Sequence, residues 1–224
     1  VELAEAKKRN LPILSYPEIL GELFNEKYGI AVCGTHGKTT TSAMLSSVMK
    51  YCGVDPTAVI GSRVIEWGSN ALVGRGEFFV LEADEFQNKL KLYKPKAAIL
   101  TSIDWDHPDF FPTFSEYKKA FSDFIAKIPK HGFLVCCGDD ANAAEIGKSA
   151  RCAILKYGFG KENDFIITKT KKLIPGIIGE KFEVVFKGKG LGKFEIKLPG
   201  RHNFSNATAA IAVCHKLGID PVEV

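Results

Sequence analysis

The fold of this 224-residue chain is decided by the stretch Ile30-Ala31-Val32-Cys33-Gly34-Thr35-His36-Gly37-Lys38-Thr39-Thr40-Thr41. Its first four residues form a short apolar run, which predicts a buried strand ending at Gly34. Residues 38–51 carry apolar side chains at helical spacing, which predicts a helix. The apolar face of that helix consists of Met44, Leu45, Val48 and Met49. A strand, a glycine turn and a helix are therefore expected in direct succession.

The glycine turn has the composition of a phosphate-binding loop. Backbone N–H groups at the start of a helix donate to phosphate oxygens, and Gly34 and Gly37 allow the anion to approach closely. Lys38 is expected to reach the terminal phosphates, and the Thr39 hydroxyl to bind the accompanying magnesium ion. The spacing is a shorter form of the common loop, since Val32 stands where that loop has its first glycine. A chance glycine turn is the disfavoured alternative.

The rest of the chain predicts an α/β fold. Further buried strands are predicted at Phe78–Leu81, Ala97–Leu100 and Phe133–Cys136. Helices are predicted at 1–9, 17–27, 114–128 and 204–217. Continuous apolar strands that alternate with helices indicate a mostly parallel central sheet with helices on both faces, as in P-loop NTPases.

The pattern changes after residue 158. Half-exposed, partly alternating strands are predicted at Phe165–Thr170, Lys181–Lys187 and Lys193–Leu198, with a Gly-Lys-Gly turn at 188–190. Alternation of this kind is typical of antiparallel strands with one solvated face. A small antiparallel β patch is therefore expected beside the parallel sheet.

Two acidic segments follow predicted strands. Ligands of open α/β sheets bind beyond the carboxyl ends of the strands, so Glu82, directly after Phe78–Leu81, is expected to hold a metal near the phosphates. A solvated acidic turn is the alternative. His107 lies in the segment Asp104–Asp109, which follows Ala97–Leu100. Magnesium prefers oxygen ligands, so His107 as a metal ligand and His107 as a loop-capping hydrogen bonder are equally open.

A third polar motif, Gly200-Arg201-His202-Asn203-Phe204-Ser205-Asn206, precedes the last predicted helix. Asn203 and Asn206 are three residues apart and share one helix face. An asparagine amide offers a donor and an acceptor, which suits the edge of an adenine. The alternative is that Asn203 is the N-cap of the helix.

Bulk properties exclude several classes of protein. The net charge of +4 is only mildly basic, and no Lys/Arg-rich run with interleaved aromatics indicates nucleic-acid binding. No apolar stretch approaches the about 20 residues that span a bilayer. The six cysteines form no C-x-x-C pair and are expected to be reduced thiols, which favours the cytoplasm. The chain begins with Val1 and not Met, so a piece of a longer protein is expected.

The four motifs, taken in order along the chain, resemble the Mur ligase family. The resemblance rests on Gly34–Thr41, Glu82–Glu85, Asp106–Asp109 and Gly200–Asn206. It implies that residues 29–224 are the central ATP-binding domain and that residues 1–28 are a residual linker from an N-terminal domain. A C-terminal domain that closes over the site is expected beyond residue 224. The isolated chain is therefore expected to fold but not to ligate.

The resemblance also implies roles for individual residues. The ATP-binding set is Gly34, Thr35, His36, Gly37, Lys38, Thr39, Thr40, His202, Asn203 and Asn206. The magnesium set is Thr39, Glu82 and His107. The catalytic set is Lys38, Glu82 and His107. Several family members carry a carbamylated lysine on the helix after the Asp-His-x-Asp loop, and Phe121 stands at that position here.

The absence of that lysine is a mark of the alanine-adding branch of the family. The implied activity is the ATP-dependent joining of L-alanine to UDP-N-acetylmuramate through an acyl phosphate, forming ADP and phosphate. Two alternatives remain. One is a murein-peptide ligase that attaches a recycled tripeptide to UDP-N-acetylmuramate, and the other is a nucleotide-binding module without catalytic activity.

Overall fold

Strand β1 (Tyr28–Cys33) lies inside a large sheet in the computed structural model, which describes residues 1–172 and 179–220. The other strands are β2 (Thr57–Val64), β3 (Ser69–Leu72), β4 (Phe78–Glu82), β5 (Ala97–Leu100), β6 (Phe133–Cys137), β7 (Ala153–Gly158), β8 (Phe165–Lys172), β9 (Glu180–Phe186) and β10 (Lys189–Ile196). The α-helices are α1 (Glu2–Lys8), α2 (Tyr16–Glu26), α3 (Lys38–Tyr51), α4 (Phe114–Ile125), α5 (Ala141–Gly147) and α6 (Arg201–Leu217). A 3₁₀ segment spans Phe86–Leu92.

All the described strands join one sheet in the order β10-β9-β8-β7-β6-β5-β1-β4-β2-β3. The strands from β8 to β2 pair in parallel, whereas β9, β10 and β3 pair antiparallel at the two edges. The predicted α/β fold with a mostly parallel sheet is confirmed. The predicted antiparallel patch is also present, and β7 joins it to the parallel part through β8.

Helices cover both faces of the sheet because the buried strands are apolar on both sides. Along β1, Ile30 and Val32 pack with Leu45 and Met49 of α3 in one core cluster. Ala31 and the residue two positions after it on β1 face the opposite cluster, which contains aromatic side chains of α2 and α4. This alternation places α3 and α6 on one face and α2, α4 and α5 on the other.

Most predicted elements are found within a few residues of their expected bounds, and three differences have physical causes. Helix α6 begins at Arg201, earlier than predicted, because Gly200 with φ of 110° is its N-cap. Strand β10 begins at Lys189 because a bulge between Gly190 and Gly192 keeps the glycines within the strand. Consequently the turn that precedes β10 lies at residues 187–188 and not at 188–190.

The hairpin β2–β3, helix α5 and strand β7 were not predicted from the pattern. The second half of β2 is exposed at Gly61, Ser62 and Arg63, so its sequence lacks a continuous apolar run. All six cysteines are free thiols, and three of them, Cys33, Cys136 and Cys214, are buried. Within residues 1–172 and 179–220, no helix is both long enough and apolar enough to cross a membrane.

Candidate functional site

The glycine turn at residues 34–37 connects the carboxyl end of β1 to the start of α3. Strand β1 pairs with β4 on one side and with β5 on the other, so the loops after all three strands meet at one sheet edge. Gly37 has φ of 80°, a left-handed conformation that favours glycine. A Cβ atom at Gly37 would stand 2.6 Å from Oδ1 of Asn206, so the loop packs directly against α6.

Lys38, the first residue of α3, folds back over the glycine turn. Its Nζ donates to the carbonyl oxygens of Gly34 at 2.6 Å and Thr35 at 3.1 Å. The same Nζ lies 3.3 Å from Oε2 of Glu85, a carboxylate of the loop that follows β4. The ammonium group is therefore held at the mouth of the turn, where a bound anion would need a positive charge.

Thr39 and Glu82 are in direct contact. The Thr39 hydroxyl donates to Oε1 of Glu82 at 2.8 Å, and the backbone N–H of Gly61 donates to Oε2 at 2.6 Å. These two bonds fix the carboxylate between α3 and β2. A hydroxyl and a carboxylate side by side are hard oxygen donors of the kind that magnesium prefers, so the residues present fit this ion.

His107 lies in a loop with an unusual backbone conformation, since its φ is 54°. Its backbone carbonyl accepts from the N–H groups of Phe110 and Phe111 at 2.9 and 2.8 Å, while its own N–H donates to Asp106. The backbone of His107 thus stabilises the loop, and the imidazole packs at a tilt against Phe86 with the ring centroids 4.9 Å apart. Its Nε2 lies 3.7 Å from Oδ2 of Asp106.

The imidazole of His107 lies close to Asp84 and Glu85, two residues that the sequence motifs did not pair with it. Across the described ranges, these three side chains form the one group of three or more His, Cys, Asp or Glu residues that could hold a metal ion, with ligand atoms within 4.8 Å of one another. Glu82 is not part of that group and contacts Thr39 instead. The expected magnesium residues therefore divide into two neighbouring sets on the same sheet edge.

Glu85 and Tyr117 form a buried network that sequence reasoning did not assign to the site. The Tyr117 hydroxyl donates to Oε1 of Glu85 at 2.9 Å and lies 2.9 Å from Oγ1 of Thr35. Burial, followed by the nearby negative charge of Glu85, raises the pKa of Tyr117 well above its usual value, so this phenol stays protonated. Glu85 belongs to the acidic motif Glu82–Glu85, whereas Tyr117 lies in the helix predicted at 114–128 and was given no role in the site.

Phe121 lies one turn beyond Tyr117 on α4 and is fully buried. Its ring packs edge-on against the ring of Tyr117 at a centroid distance of 5.1 Å. This position therefore belongs to the core beneath the site. A charged side chain introduced there would have to be accommodated among apolar neighbours.

The remaining residues expected in the phosphate loop have distinct environments. Oγ1 of Thr35 accepts from the Asp104 N–H and lies at hydrogen-bond distance from the Asp104 carbonyl, both at 2.9 Å, which ties the glycine turn to the loop after β5. The exposed His36 has its backbone N–H bonded to Ser102 Oγ and its imidazole 3.4 Å from the Asp104 carboxylate. Thr40 is half-buried in the first turn of α3.

A cavity of about 320 Å³ opens beside the glycine turn and reaches the start of α6. Its lining residues are His36, Gly37, Thr101, Ser102, Cys137, Asp139, Asp140, Tyr157, His202, Ser205 and Asn206. Aromatic, amide and imidazole groups at the wall of one cavity suit a flat heterocycle next to the phosphate loop. His202 and Asn206 both line this cavity, next to His36 and Gly37 of the glycine turn.

Asn203 lies behind Asn206 and not in the cavity wall. Its Nδ2 donates to the Pro199 carbonyl at 2.8 Å, and its Oδ1 accepts from Nδ2 of Asn206 at 3.2 Å. The alternative that Asn203 is the helix N-cap is wrong, because Gly200 occupies that position and the Asn203 N–H already bonds to it. Asn203 orients the side chain of Asn206.

Comparison with known proteins supports one family. Residues 32–214 match the Mur ligase middle domain. UDP-N-acetylmuramate–L-alanine ligase of Geobacter sp. (strain M21) is 42% identical over 218 residues, which are 97% of this chain and 47% of that relative. The relative of the same name from Syntrophotalea carbinolica is 40% identical with the same coverage. The chain spans about half the length of these curated relatives.

Solved structures give the same result. UDP-N-acetylmuramate:L-alanyl-gamma-D-glutamyl-meso-diaminopimelate ligase from Neisseria meningitides superposes with a TM-score of 0.85 at 28% identity, over 98% of this chain and 71% of that chain. UDP-N-acetylmuramate-alanine ligase from Thermotoga maritima superposes with a TM-score of 0.78 at 27% identity, over 99% of this chain and 50% of that chain. The chain therefore belongs to the Mur ligase family and carries its middle domain.

Proposed function

We propose that this chain is the ATP-binding domain of a ligase that forms an amide bond between a carboxylate substrate and an amino acid. The observation that carries the proposal is the 2.8 Å contact between the Thr39 hydroxyl and Glu82 at the end of the glycine turn. A phosphate loop with a hydroxyl and a carboxylate at its exit is suited to a nucleotide triphosphate with magnesium. Family membership supports the same function.

The reaction proposed for the whole protein has two steps. The γ-phosphoryl group of ATP passes to the carboxylate of UDP-N-acetylmuramate, which forms an acyl phosphate and ADP. The amine of L-alanine then attacks the acyl carbon, and phosphate leaves as the amide forms. The names of the two curated relatives described above support this pair of substrates.

Catalysis by this chain would consist of positioning and charge neutralisation. Lys38 would donate to the terminal phosphates, and Gly34, Thr35, His36, Gly37 and Thr40 would surround them with backbone and hydroxyl groups. His202 and Asn206 would contact the adenine, with Asn203 orienting Asn206. Thr39, Glu82 and His107 would hold magnesium, which neutralises charge on the phosphoryl oxygens when bound.

The domain organisation is part of the proposal. We propose residues 1–28 as the linker from an N-terminal domain and 29–224 as the central domain. A separate C-terminal domain would close over the site. The coverage of 47% in the relatives supports this arrangement. Six free thiols support action in the cytoplasm.

A murein-peptide ligase is the second candidate, and the superposition with the Neisseria meningitides enzyme favours it. That enzyme class would use the same carboxylate activation with a tripeptide as the attacking amine. The experiment is to supply the full-length protein with ATP, UDP-N-acetylmuramate and either L-alanine or the tripeptide, and to measure phosphate release. Turnover with L-alanine alone supports the first proposal, whereas turnover with the tripeptide alone would make the murein-peptide ligase the preferred function.

A nucleotide-binding module without catalytic activity is the third reading. Such a module would bind ATP with no dependence on magnesium and would release no phosphate with any acceptor. Titration of ATP by calorimetry with magnesium and with EDTA separates this reading from a ligase site. A large gain in affinity with magnesium supports the roles proposed for Thr39 and Glu82.

The central test of the proposed function is the variant Lys38→Met in the full-length protein. Because it removes the charge that faces the phosphates, ligation should fall by about 100-fold or more, as for other groups that stabilise developing charge. Lys50→Met is the matched control, since Lys50 is exposed at the end of the same helix. Full activity in Lys38→Met would contradict the proposal.

A further inference from the structure

The ammonium group of Lys38 has no donor left for a phosphate in this structure. An ammonium carries three N–H donors, and the three acceptors around Nζ are Gly34 O, Thr35 O and Glu85 Oε2. At least one of these bonds must break before Lys38 can bind an anion. The contact to Glu85, at 3.3 Å, is the longest of the three.

Glu85 is an unusual neighbour for a phosphate-binding lysine because it is a buried anion. Its side chain is 1% exposed, and among the residues that the structure describes Lys38 is the one cationic group within 4 Å of its carboxylate. Burial of a charge is unfavourable unless a partner compensates it. A nucleotide whose phosphates draw the ammonium group of Lys38 away from Glu85 therefore leaves Glu85 without its cationic partner. The same phosphates also bring negative charge near Glu85.

Tyr117 keeps Glu85 in place. Its hydroxyl donates to the second carboxylate oxygen, and its own contact with Thr35 ties the pair to the glycine turn. The ring is fully buried among aromatic neighbours, so the hydroxyl has little freedom to move. Glu85 is thus held on both oxygens, one by the core and one by Lys38.

We propose that Glu85 is a positioning residue that fixes the resting position of Lys38 and competes with the nucleotide for its ammonium group. This inference rests on the proposed function, in which Lys38 binds phosphate. It assigns to Glu85 a restraining effect, so removal of its charge should tighten nucleotide binding. A residue with a merely structural role would weaken binding when it is replaced.

The test is calorimetric titration of ATP into the chain in the presence of EDTA, with Glu85→Gln as the variant. The substitution keeps the size of the side chain and an acceptor for Tyr117 but removes the charge. We expect ATP to bind about tenfold more tightly, the effect of losing one competing charge-assisted hydrogen bond. Equal or weaker binding by a folded Glu85→Gln protein would overturn the inference.

A matched control separates this effect from a simple change in net charge. Asp123 of α4 lies outside the site, and its exposed carboxylate pairs with Lys119 at 2.8 Å and not with Lys38. Asp123→Asn changes the net charge by the same amount and is expected to alter the ATP affinity by less than about twofold. A gain as large as that of Glu85→Gln would contradict positioning through Lys38.

A double-mutant cycle with Lys38→Met completes the test. The gain in ATP affinity from Glu85→Gln should disappear in the Lys38→Met background, since no ammonium group is then left for Glu85 and the nucleotide to compete for. A gain that persists there would show that Glu85 acts by repulsion alone and would overturn the inference. If the unaltered chain and Lys38→Met bind ATP equally, the proposed function itself fails.

A second variant covers the case in which Glu85→Gln does not fold. Tyr117→Phe removes the hydroxyl that holds Glu85 but keeps the buried ring. We expect a smaller gain in ATP affinity, about twofold to threefold, because Glu85 becomes freer to turn away from Lys38. An unchanged or reduced affinity in a folded Tyr117→Phe protein would count against the inference.

Discussion

At the scale of single residues, Gly37 has two requirements that can be measured separately. Its φ of 80° disfavours any residue with a Cβ atom, and such an atom would also approach Asn206 Oδ1 to 2.6 Å. Gly53 provides the comparison, because it has φ of 75° but open space around the position of a Cβ atom. The two glycines therefore share the conformational requirement and differ in the steric one.

We predict that Gly37→Ala lowers the free energy of unfolding by about 2–3 kcal/mol and weakens ATP binding, since Asn206 must move. Gly53→Ala should cost only about 1 kcal/mol, the strain of the backbone alone, and leave ATP binding unchanged. Urea unfolding followed by circular dichroism gives the first quantity, and calorimetry gives the second. Equal losses of stability in both variants would show that the contact with Asn206 is unimportant.

Some of the site residues could be identified from the sequence, and others could not. Glycine, lysine and threonine in the turn were assigned from their order alone, because their chemistry is tied to a strand-to-helix junction. The hydroxyl of Tyr117 was missed because helical spacing predicts which face a side chain lies on, but not what its polar end contacts. Asn203 was assigned to the nucleotide, whereas in the structure its amide bonds to Pro199 and Asn206.

At the scale of elements, α4 depends on its first turn to position Tyr117. Oγ1 of Thr113 accepts from the Glu116 N–H at 3.2 Å and caps the helix, while the Thr113 carbonyl accepts from the Tyr117 N–H. We predict that Thr113→Ala lowers the free energy of unfolding by about 1 kcal/mol, as for other lost N-caps. Thr113→Ser retains the hydroxyl and should be close to neutral in the same urea titration. A neutral Thr113→Ala would contradict the role of the cap.

Elements were predictable where burial is complete. Strands β1, β4, β5 and β6 are continuous apolar runs because helices cover both of their faces, and all four were found from the sequence. Hairpin β2–β3 lies at an edge, and the exposed residues of β2 lack an apolar run. The acidic motifs were placed correctly at strand ends, but only the packed structure could separate Glu82 from Glu85.

At the scale of the whole molecule, both core clusters bury thiols. Cys214 lies in the cluster beneath α3 and α6, and Cys33 and Cys136 lie in the cluster beneath α4 and α5. Burial raises the pKa of Cys136 and of Cys214 to about 12. The folded state therefore disfavours the thiolate. The contribution of each of these two thiols to the free energy of unfolding is complete below the unfolded pKa of about 8.5 and is lost as pH rises toward about 12.

We predict that the free energy of unfolding falls between pH 9 and pH 11 by about 1.4 kcal/mol per pH unit for each of these thiols. Urea titrations across this pH range measure the slope. Cys214→Ala should reduce the slope by the share of one thiol, whatever its effect on stability at pH 7. A slope that is unchanged by this substitution would contradict the burial argument.

The central position of β1 has a consequence for how the site responds to a ligand. A strand that is hydrogen-bonded on both sides and covered on both faces opens only with the whole domain, whereas the edge hairpin can fray locally. The first residue of the glycine turn directly follows this rigid strand and is therefore held in place by it. Little ordering of the main chain is then required when phosphates arrive, and the adjustment falls on side chains such as Lys38 and Glu85. Native-state hydrogen exchange should accordingly show slow, ligand-insensitive amides in β1 and fast ones in β3.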